Sequence, residues 1–188
     1  MTASAESSWR LADPHLAVAL LCTMRLVDNV LVDELADKRA ANSWLGRHQL
    51  PLVGRNDSVH RDLVEHRDLL RGLFSAVIDD APVPRQALKT VNSHAARAPV
   101  TLAARWLANG DALVEPSRQG TATDVLFGEL SRSALALLAA PAREQLELCR
   151  APGCILFFLK QRPRQLWCSS SCGNRARVAR HYALHAHE

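Results

Sequence analysis

The sequence predicts a mainly α-helical protein with a small β-hairpin and a compact cysteine-rich module at its C-terminal end. Three observations support this fold class. Apolar residues recur at helical spacing through most of the first 148 residues, one Asn-Gly pair stands between two apolar segments, and four of the five cysteines lie within residues 149–172. The chain is therefore expected to contain an α-rich domain at 1–148 and a small module at 149–188.

Five helices are expected in the α-rich domain. Asp13 followed by Pro14 fits an N-cap with proline at the first helical position. The apolar face that follows predicts a buried helix in which Cys22 acts as a small hydrophobic residue. Prolines end or restart the later helices, most clearly before Pro99 and at Pro141. The expected helices cover residues 14–28, 37–48, 58–77, 85–98 and 122–148.

The hairpin is expected around Asn109-Gly110. An Asn-Gly pair flanked by apolar segments is the strongest short-range signal for two antiparallel strands, because both residues tolerate the positive φ that a tight turn needs. The flanking segments read VTLAARWLA and DALVE. Strands are therefore expected at about 100–107 and 111–115.

The composition and the motifs of the sequence argue against a membrane protein, a secreted protein and an enzyme. No apolar run approaches the roughly 20 residues of a transmembrane helix, and the first residues lack a basic segment followed by an apolar one. We therefore expect a cytoplasmic protein without a membrane partner. The sequence contains no Gly-rich phosphate loop, no G-x-S-x-G and no H-E-x-x-H, so an enzyme is not expected.

The cysteine cluster predicts a metal site. Cys149 and Cys154 form a C-x4-C pair, thirteen residues follow, and Cys168 and Cys172 form a C-x3-C pair. Four thiolates from two turns match tetrahedral Zn²⁺ and leave no open position for catalysis, so the zinc is expected to be structural. Strands at ILFF and LW are expected between the pairs. The alternatives are four free thiols without a metal, or thiols that respond to oxidation.

Charge separates the module from the domain before it. From residue 149 onward the chain has seven Lys or Arg residues and one acidic residue, whereas the preceding part has 16 basic and 18 acidic residues. A basic appendage on a mildly acidic body is typical of polyanion binding, since each phosphate contact releases counterions.

A helix is expected after the last cysteines, capped by a serine among residues 169–171, which makes the module treble-clef-like. At 100° per residue, Arg175, Val178 and Tyr182 share one face, on which Arg175 would bind backbone carbonyls or an acidic partner. Trp167 is also assigned a structural role. The nucleic-acid contacts are expected from the opposite helix face and from the turn between the cysteine pairs: Asn174, Arg177, Arg180 and His181, with Lys160, Arg162 and Arg164. The simpler alternatives are a solvated basic face and, for His181 with His185, surface histidines in preference to a metal pair.

The string Cys172-Gly173-Asn174-Arg175, after a C-x4-C pair and directly following WCSSS, resembles the CGNR zinc finger family. LVDELADKRAANSWLGRHQL and HRDLVEHRDLLRGLF resemble the α-rich ABATE domain that precedes this finger. The resemblance implies a bacterial, stress-related transcription regulator whose finger binds DNA and whose body senses or regulates. Many members carry an acidic residue and a Ser/Thr-Arg stretch between the cysteine pairs. Here that region is shorter and reads FFLKQRPRQLW, so Arg175 needs another partner.

The leading hypothesis is a regulator that binds duplex DNA, with dimerisation or binding of a small-molecule ligand assigned to the helical domain. Two other classes stay open. The module would be a zinc-stabilised protein-interaction module if it docks on an acidic partner surface, or an RNA-binding protein. These classes differ in the salt dependence and the nucleic-acid preference of binding.

Overall fold

A computed structural model describes residues 14–27, 30–54, 57–139 and 141–185, which excludes the expected N-cap Asp13. Within this part of the chain the helices are α1 (Pro14–Leu21), α2 (Lys38–Arg47), α3 (Asp57–Ile78), α4 (Arg85–Arg97), α5 (Ala122–Leu138), α6 (Ala142–Gln145) and α7 (Ser170–His185). The strands form three separate antiparallel pairs: β1 (Met24–Val27) with β2 (Val30–Asp33), β3 (Val100–Trp106) with β4 (Ala112–Arg118), and β5 (Leu146–Leu148) with β6 (Phe157–Leu159). The fold is mainly α with small two-stranded sheets, as the sequence predicts.

Local capping signals fix the helix boundaries that the sequence predicts well. The Asp37 side chain accepts a hydrogen bond of 2.8 Å from the backbone N of Ala40 at the start of α2. Thr121 and Asp124 form a reciprocal capping box at the start of α5. Helix α4 begins after Pro84 and ends before Ala98, where Pro99 follows.

The main core forms where α5 packs against α1 and α4, with α3 against the same group. Its fully buried side chains include Leu20, Leu70, Phe74, Leu130 and Leu137. Each such burial stabilises the fold by about 1.5–3 kcal/mol relative to an exposed side chain. None of the helices in the described ranges combines the length and the apolar character needed to cross a membrane.

The predicted helix over residues 14–28 is wrong in its second half. Helix α1 ends at Leu21, and β1 begins at Met24 and pairs with β2. The Thr23 hydroxyl donates a hydrogen bond of 2.8 Å to the carbonyl of Leu20, and the backbone N of Glu34 donates to the Thr23 carbonyl at 2.9 Å. Pairing with residues distant in sequence therefore overrides the local helical pattern. Cys22 follows the helix, is half-buried and donates from Sγ to the Phe157 carbonyl at 3.0 Å.

The predicted hairpin around Asn109-Gly110 is confirmed as β3 and β4, with Gly110 at φ +88° in the turn. Its strands are exposed along most of their length. Leu102, Trp106 and Val114 lie on one face, because the pairing places Leu102 opposite Pro116 and Ala104 opposite Val114. The hairpin therefore extends from the helical core instead of packing inside it.

The restart that the sequence predicts at Pro141 within the helix over residues 122–148 is confirmed, but the last residues of this stretch are a strand. Helix α5 ends at Leu138, α6 is a single short turn, and residues 146–148 form β5. The predicted pairing of ILFF with LW is also wrong, because β6 pairs with β5 in register Leu148 opposite Phe157. We call residues 14–139 the body and residues 146–185, from β5 to α7, the finger.

The finger is attached to the body through alternating side chains of β6. Phe157 is buried in the main core together with Leu146, whereas Phe158 packs in a second, smaller cluster with Cys149 and Cys172. Because successive strand residues point to opposite faces, one short strand contributes to both cores. The finger is therefore docked on the body, and the two share buried surface.

Candidate metal centre and nucleic-acid interface

The four cysteines of the finger meet at one point. Cys149 directly follows β5, and Cys154 ends a turn closed by a 3.0 Å hydrogen bond from its backbone N to the Ala151 carbonyl. Gly153 adopts φ +66° in that turn, a conformation that favours glycine. Cys168 precedes α7 and Cys172 lies in its first turn. Their Sγ atoms all lie within 4.8 Å of one another, and no other such group of three or more His, Cys, Asp or Glu side chains occurs in the described residues.

The sulfur geometry fits a tetrahedral metal ion. Sγ of Cys154 lies 3.9 Å from Sγ of Cys168, which lies 3.6 Å from Sγ of Cys172. Four sulfurs at about 2.3 Å from a central Zn²⁺ would be separated by about 3.8 Å. The arrangement of the four thiols therefore suits one metal ion with four protein ligands, and the identity of these ligands stays a prediction.

Burial and mutual contact shift the thiols in opposite directions. Burial raises the pKa of Cys154 to about 11, against a hydrogen bond with the Leu156 backbone that lowers it, and the neighbouring thiols add to the increase. Burial and the same contacts also raise the pKa of Cys168. For Cys172, burial raises the pKa, but hydrogen bonds from Ser169 and the three other thiols together lower it to about 7. A metal ion must therefore displace protons from the cluster, with Cys172 the most readily ionised of these three thiols.

Two side chains around the cluster stabilise charge and packing. Arg175 donates from Nη2 to Sγ of Cys172 at 3.2 Å, so its partner is a sulfur ligand in place of the expected carbonyl or carboxylate. Sγ of Cys149 accepts a hydrogen bond of 3.4 Å from the backbone N of Cys168. Donors of this kind stabilise thiolate charge. The Trp167 ring covers Gly173, where a Cβ atom would lie 3.4 Å from Cε3 of the indole.

Three of the predicted nucleic-acid contacts line one groove. Arg162 and Arg164 lie in the segment between β6 and α7, and Arg177 lies on α7. The groove encloses about 490 Å³, and its other walls include Trp167 and Gly173. All three arginine side chains are exposed. We call this surface, defined by Arg162, Arg164, Trp167, Gly173 and Arg177, the basic groove.

Lys160 does not line the basic groove. Its Nζ lies 3.8 Å from a carboxylate oxygen of Glu147, and its side chain is only partly exposed. Asn174, Arg180 and His181 are exposed on α7 beyond the groove. Of the residues predicted to contact nucleic acid, the structure therefore brings Arg162, Arg164 and Arg177 together in one groove. The positive charge of Lys160 lies instead beside the carboxylate of Glu147.

The face of α7 that carries Arg175, Val178 and Tyr182 is not buried. Val178 is 45% exposed and Tyr182 is 69% exposed, whereas Cys172 and Ala176 contribute to the small core. The reason is the size of the finger, which covers only the first turns of α7. Leu184, near the end of the helix, is 72% exposed. The side chain of His185 lies outside the described residues, so for this residue the preference for a surface histidine over a metal pair with His181 stays a prediction.

The finger is held on the body by contacts that were not predicted from the sequence. Arg71 on α3 donates from Nη2 to the Ile155 carbonyl at 3.0 Å and also donates to the Leu21 carbonyl. Its guanidinium carbon lies 5.0 Å from the centre of the Phe157 ring. Arg150 reaches back to Asp79 at 3.6 Å. No local pattern signals these contacts, because Arg71 lies among the charged residues of an amphipathic helix.

These features define a small helical protein that carries a four-cysteine finger with a basic surface. The chain belongs to the ABATE family, described as "putative stress-induced transcription regulator", whose sequence model matches residues 14–141. The CGNR zinc finger matches residues 145–185. The two matched segments agree with the resemblance carried by Cys172-Gly173-Asn174-Arg175. Comparison with curated proteins found no match.

Proposed function

We propose that the finger holds a structural Zn²⁺ ion and that the basic groove and the outer face of α7 bind duplex DNA, with the body as the regulatory domain. The family description supports a regulatory role. The observation that carries the proposal is the convergence of Arg162, Arg164 and Arg177 on one groove beside the start of α7. Guanidinium groups bind phosphate oxygens with two parallel hydrogen bonds, so such a groove suits a nucleic-acid backbone.

The residues divide into two roles. Arg162 and Arg164 precede α7, and we assign them to backbone phosphates, where they fix the position of the helix. Asn174, Arg177 and Arg180 project from α7, and asparagine and arginine are side chains that recognise base edges. The major groove of DNA is about 12 Å wide and accommodates one α-helix. Helix α7 extends beyond the small core of the finger, as insertion into a groove requires.

The metal contributes by holding the finger in shape. Bound Zn²⁺ would tie Cys149 and Cys154, which follow β5, to Cys168 and Cys172, at the start of α7. The small cluster around these cysteines contains few apolar side chains, chiefly Phe158, Ala151 and Trp167. A core of this size needs a crosslink, because it buries too little apolar surface. Zinc therefore positions the basic groove and is not itself the contact surface.

The test is duplex binding by the variant Arg177→Glu/Arg180→Glu over a range of salt concentrations. A charge-matched control is Arg61→Glu/Arg85→Glu, since both control residues are exposed on body helices. We expect the finger variant to lose about tenfold or more in affinity and its logarithmic salt slope to fall by about one or two. The control should stay within about threefold of the wild type.

Equal loss in both variants would mean that net charge alone drives binding and would contradict the assignment to α7. Unchanged binding in the finger variant would contradict it as well. A single-stranded or double-stranded RNA of the same length serves as competitor. If RNA displaces the duplex at lower concentration than unlabelled DNA does, the finger is an RNA-binding module, because the groove charges alone do not distinguish the two polymers.

One observation favours a protein partner as the second candidate function. Val178, Tyr182 and Leu184 are large apolar side chains exposed on α7. Exposed aromatic and apolar side chains on a basic helix also suit docking against an acidic protein surface. If the finger binds such an acidic protein, Tyr182→Ala would weaken the complex with that protein and leave duplex binding by the finger unchanged.

A further inference from the structure

A second polar cavity lies in the body, away from the finger. It is formed between α3, α4 and α5 and encloses about 390 Å³. Its charged and aromatic lining side chains are Asp62, Glu65, His66, His94, Arg97 and Phe127. Neither family description assigns a ligand to this region.

Each of the two histidines has one buried ring nitrogen that makes no hydrogen bond to the described part of the chain. His66 is 3% exposed, and its Nε2 lies 3.4 Å from the hydroxyl oxygen of Ser131. The Nδ1 atoms of His66 and His94 are both buried, and neither has a hydrogen-bond partner within the residues that the structure describes. Buried polar atoms of this kind are rare in native proteins and call for a partner.

The rings are held in place by an aromatic neighbour. The centre of the Phe127 ring lies 5.5 Å from that of His66, edge to face, and 5.1 Å from that of His94. The two imidazole centres are themselves 5.1 Å apart. Two imidazoles bound to one metal ion at neighbouring positions through bonds of about 2.0–2.1 Å would have their centres about 4.5–5 Å apart.

The charges around the cavity favour a cation. Burial, and next the neighbouring His94, lowers the pKa of His66 to about 3. Burial followed by Arg97 lowers the pKa of His94. Both imidazoles are therefore neutral near pH 7. The carboxylates of Asp62 and Glu65 then outnumber the guanidinium of Arg97 in the lining.

A neutral imidazole with one committed nitrogen is the usual form of a histidine ligand. If Nε2–H of His66 donates to Ser131, then Nδ1 carries the lone pair. Asp62 lies one helical turn before His66 on α3 and lines the same cavity, although its carboxylate does not group with the imidazole nitrogens in this conformation. The remaining volume accommodates water ligands.

We propose that His66 and His94 bind a second metal ion, a divalent transition metal of the Co²⁺, Ni²⁺ and Zn²⁺ group, with water and, after a change of its side-chain rotamer, Asp62 completing its coordination. Imidazole nitrogen suits these ions, whereas Mg²⁺ and Ca²⁺ prefer oxygen ligands. The inference goes beyond the proposed function and does not depend on DNA binding. It also gives the body a chemical signal to detect, because α3 carries both His66 and Arg71, which contacts the finger.

The experiment titrates Ni²⁺ into tag-free, full-length protein whose finger is already saturated with zinc, followed by calorimetry and elemental analysis. We expect one Ni²⁺ per chain in addition to retained zinc. His94→Gln and, separately, Asp62→Asn should weaken Ni²⁺ binding by about tenfold or more. His48→Gln is the matched control, because His48 is a partly buried histidine that packs on Trp44 outside the cavity.

Three results would overturn the proposal. They are the absence of Ni²⁺ binding to the zinc-saturated wild type, Ni²⁺ uptake that only replaces finger zinc, and equal Ni²⁺ binding by the wild type and His94→Gln. In the last case the histidines serve only as packing partners of Phe127. Circular dichroism of each variant shows that the helices are intact before titration. Failure of duplex binding would leave these metal measurements unaffected, so the two proposals fail separately.

Discussion

Arg71 of the body donates a hydrogen bond of 3.0 Å to the carbonyl oxygen of Ile155 in the finger. The same guanidinium donates to the carbonyl of Leu21 at the end of α1 and lies over the ring of Phe157. One side chain therefore connects α3, α1 and the first loop of the finger. This connection holds the first loop of the finger against α1 and α3.

Arg71→Ala is expected to destabilise the protein by about 2–4 kcal/mol, because two carbonyls lose their donor and the ring contact is lost. Arg71→Lys should recover little of this, since one ammonium cannot span both carbonyls. Urea denaturation measures the loss, and amide exchange locates it in residues 155–159. Arg61→Ala on the exposed side of α3 is the control and should change stability by less than about 0.5 kcal/mol. A uniform effect over the body, without faster exchange in the finger, would contradict the connecting role.

Metal removal should unfold the finger and spare the body. The small cluster around Cys149 and Cys172 depends on the crosslink, whereas the buried leucines of the body helices form their own core. Treatment with a strong chelator should therefore increase amide exchange across residues 149–185 and leave α3 and α5 protected. Acidification should act in the same direction, since protons compete with metal for the thiolates.

Cys22→Ser provides the control for metal removal, because Cys22 is the cysteine outside the four-sulfur cluster. This variant should retain its metal, whereas Cys168→Ser should lose it. Retention of bound metal in Cys168→Ser would mean that the four-ligand assignment is wrong.

The sequence was most informative where structure is decided locally. Asp37 caps the start of one helix, and the fixed backbone of Pro99 ends another. Asn109-Gly110 forms a hairpin turn by its own conformational preference. The cysteine spacing likewise predicts that the four thiols come together, because ligand pairs are short-range features. The predictions of β1 and β5 as helix failed, since their strand partners and not their own sequences decide their conformation.

The contacts between body and finger could not be predicted for a related reason. Arg71 lies in a charged stretch of α3 that is typical of a solvated helix face, and nothing near it in sequence indicates Ile155 as a partner. The cavity histidines are on separate helices, so their proximity also depends on tertiary packing. Lys160 shows the converse case. It belongs to a basic stretch, yet its nearest acidic partner, Glu147, lies on the paired strand.

Gly128 marks a close approach of α4 and α5. A Cβ atom at this position would lie 2.7 Å from Cβ of Ala98 and 3.3 Å from Nη1 of Arg132. Gly128→Ala is therefore expected to destabilise the fold by about 1–3 kcal/mol, although alanine favours helix by up to about 1 kcal/mol. Gly72→Ala on α3 is the control, because a Cβ there meets nothing within 4 Å, and it should stabilise the protein slightly. Thermal unfolding of both variants measures these changes in stability. Equal stabilisation by Gly128→Ala and Gly72→Ala would contradict the close packing of α4 and α5.

Arg67 forms two ion pairs, and they are expected to contribute unequally to the stability of the body. Its side chain is 2% exposed, and it donates to Asp33 at 2.6 Å and to Asp68 at 2.9 Å. Asp33 is 24% exposed whereas Asp68 is 55% exposed, so water screens the second pair more strongly. Arg67 also lies 3.3 Å from the Thr23 hydroxyl, just before β1. The Asp33 pair therefore holds the β1–β2 hairpin on α3.

Asp33→Ala is expected to cost about 3–5 kcal/mol, because it leaves a buried guanidinium without its close partner. Asp68→Ala, which removes the other carboxylate from the same arginine, should cost less than about 1 kcal/mol. Urea denaturation of both single variants, together with Arg67→Met and the double variant Arg67→Met/Asp33→Ala, completes a cycle that isolates the coupling. A coupling near zero for Asp33, or equal losses for Asp33→Ala and Asp68→Ala, would show that burial of Arg67 does not depend on that ion pair.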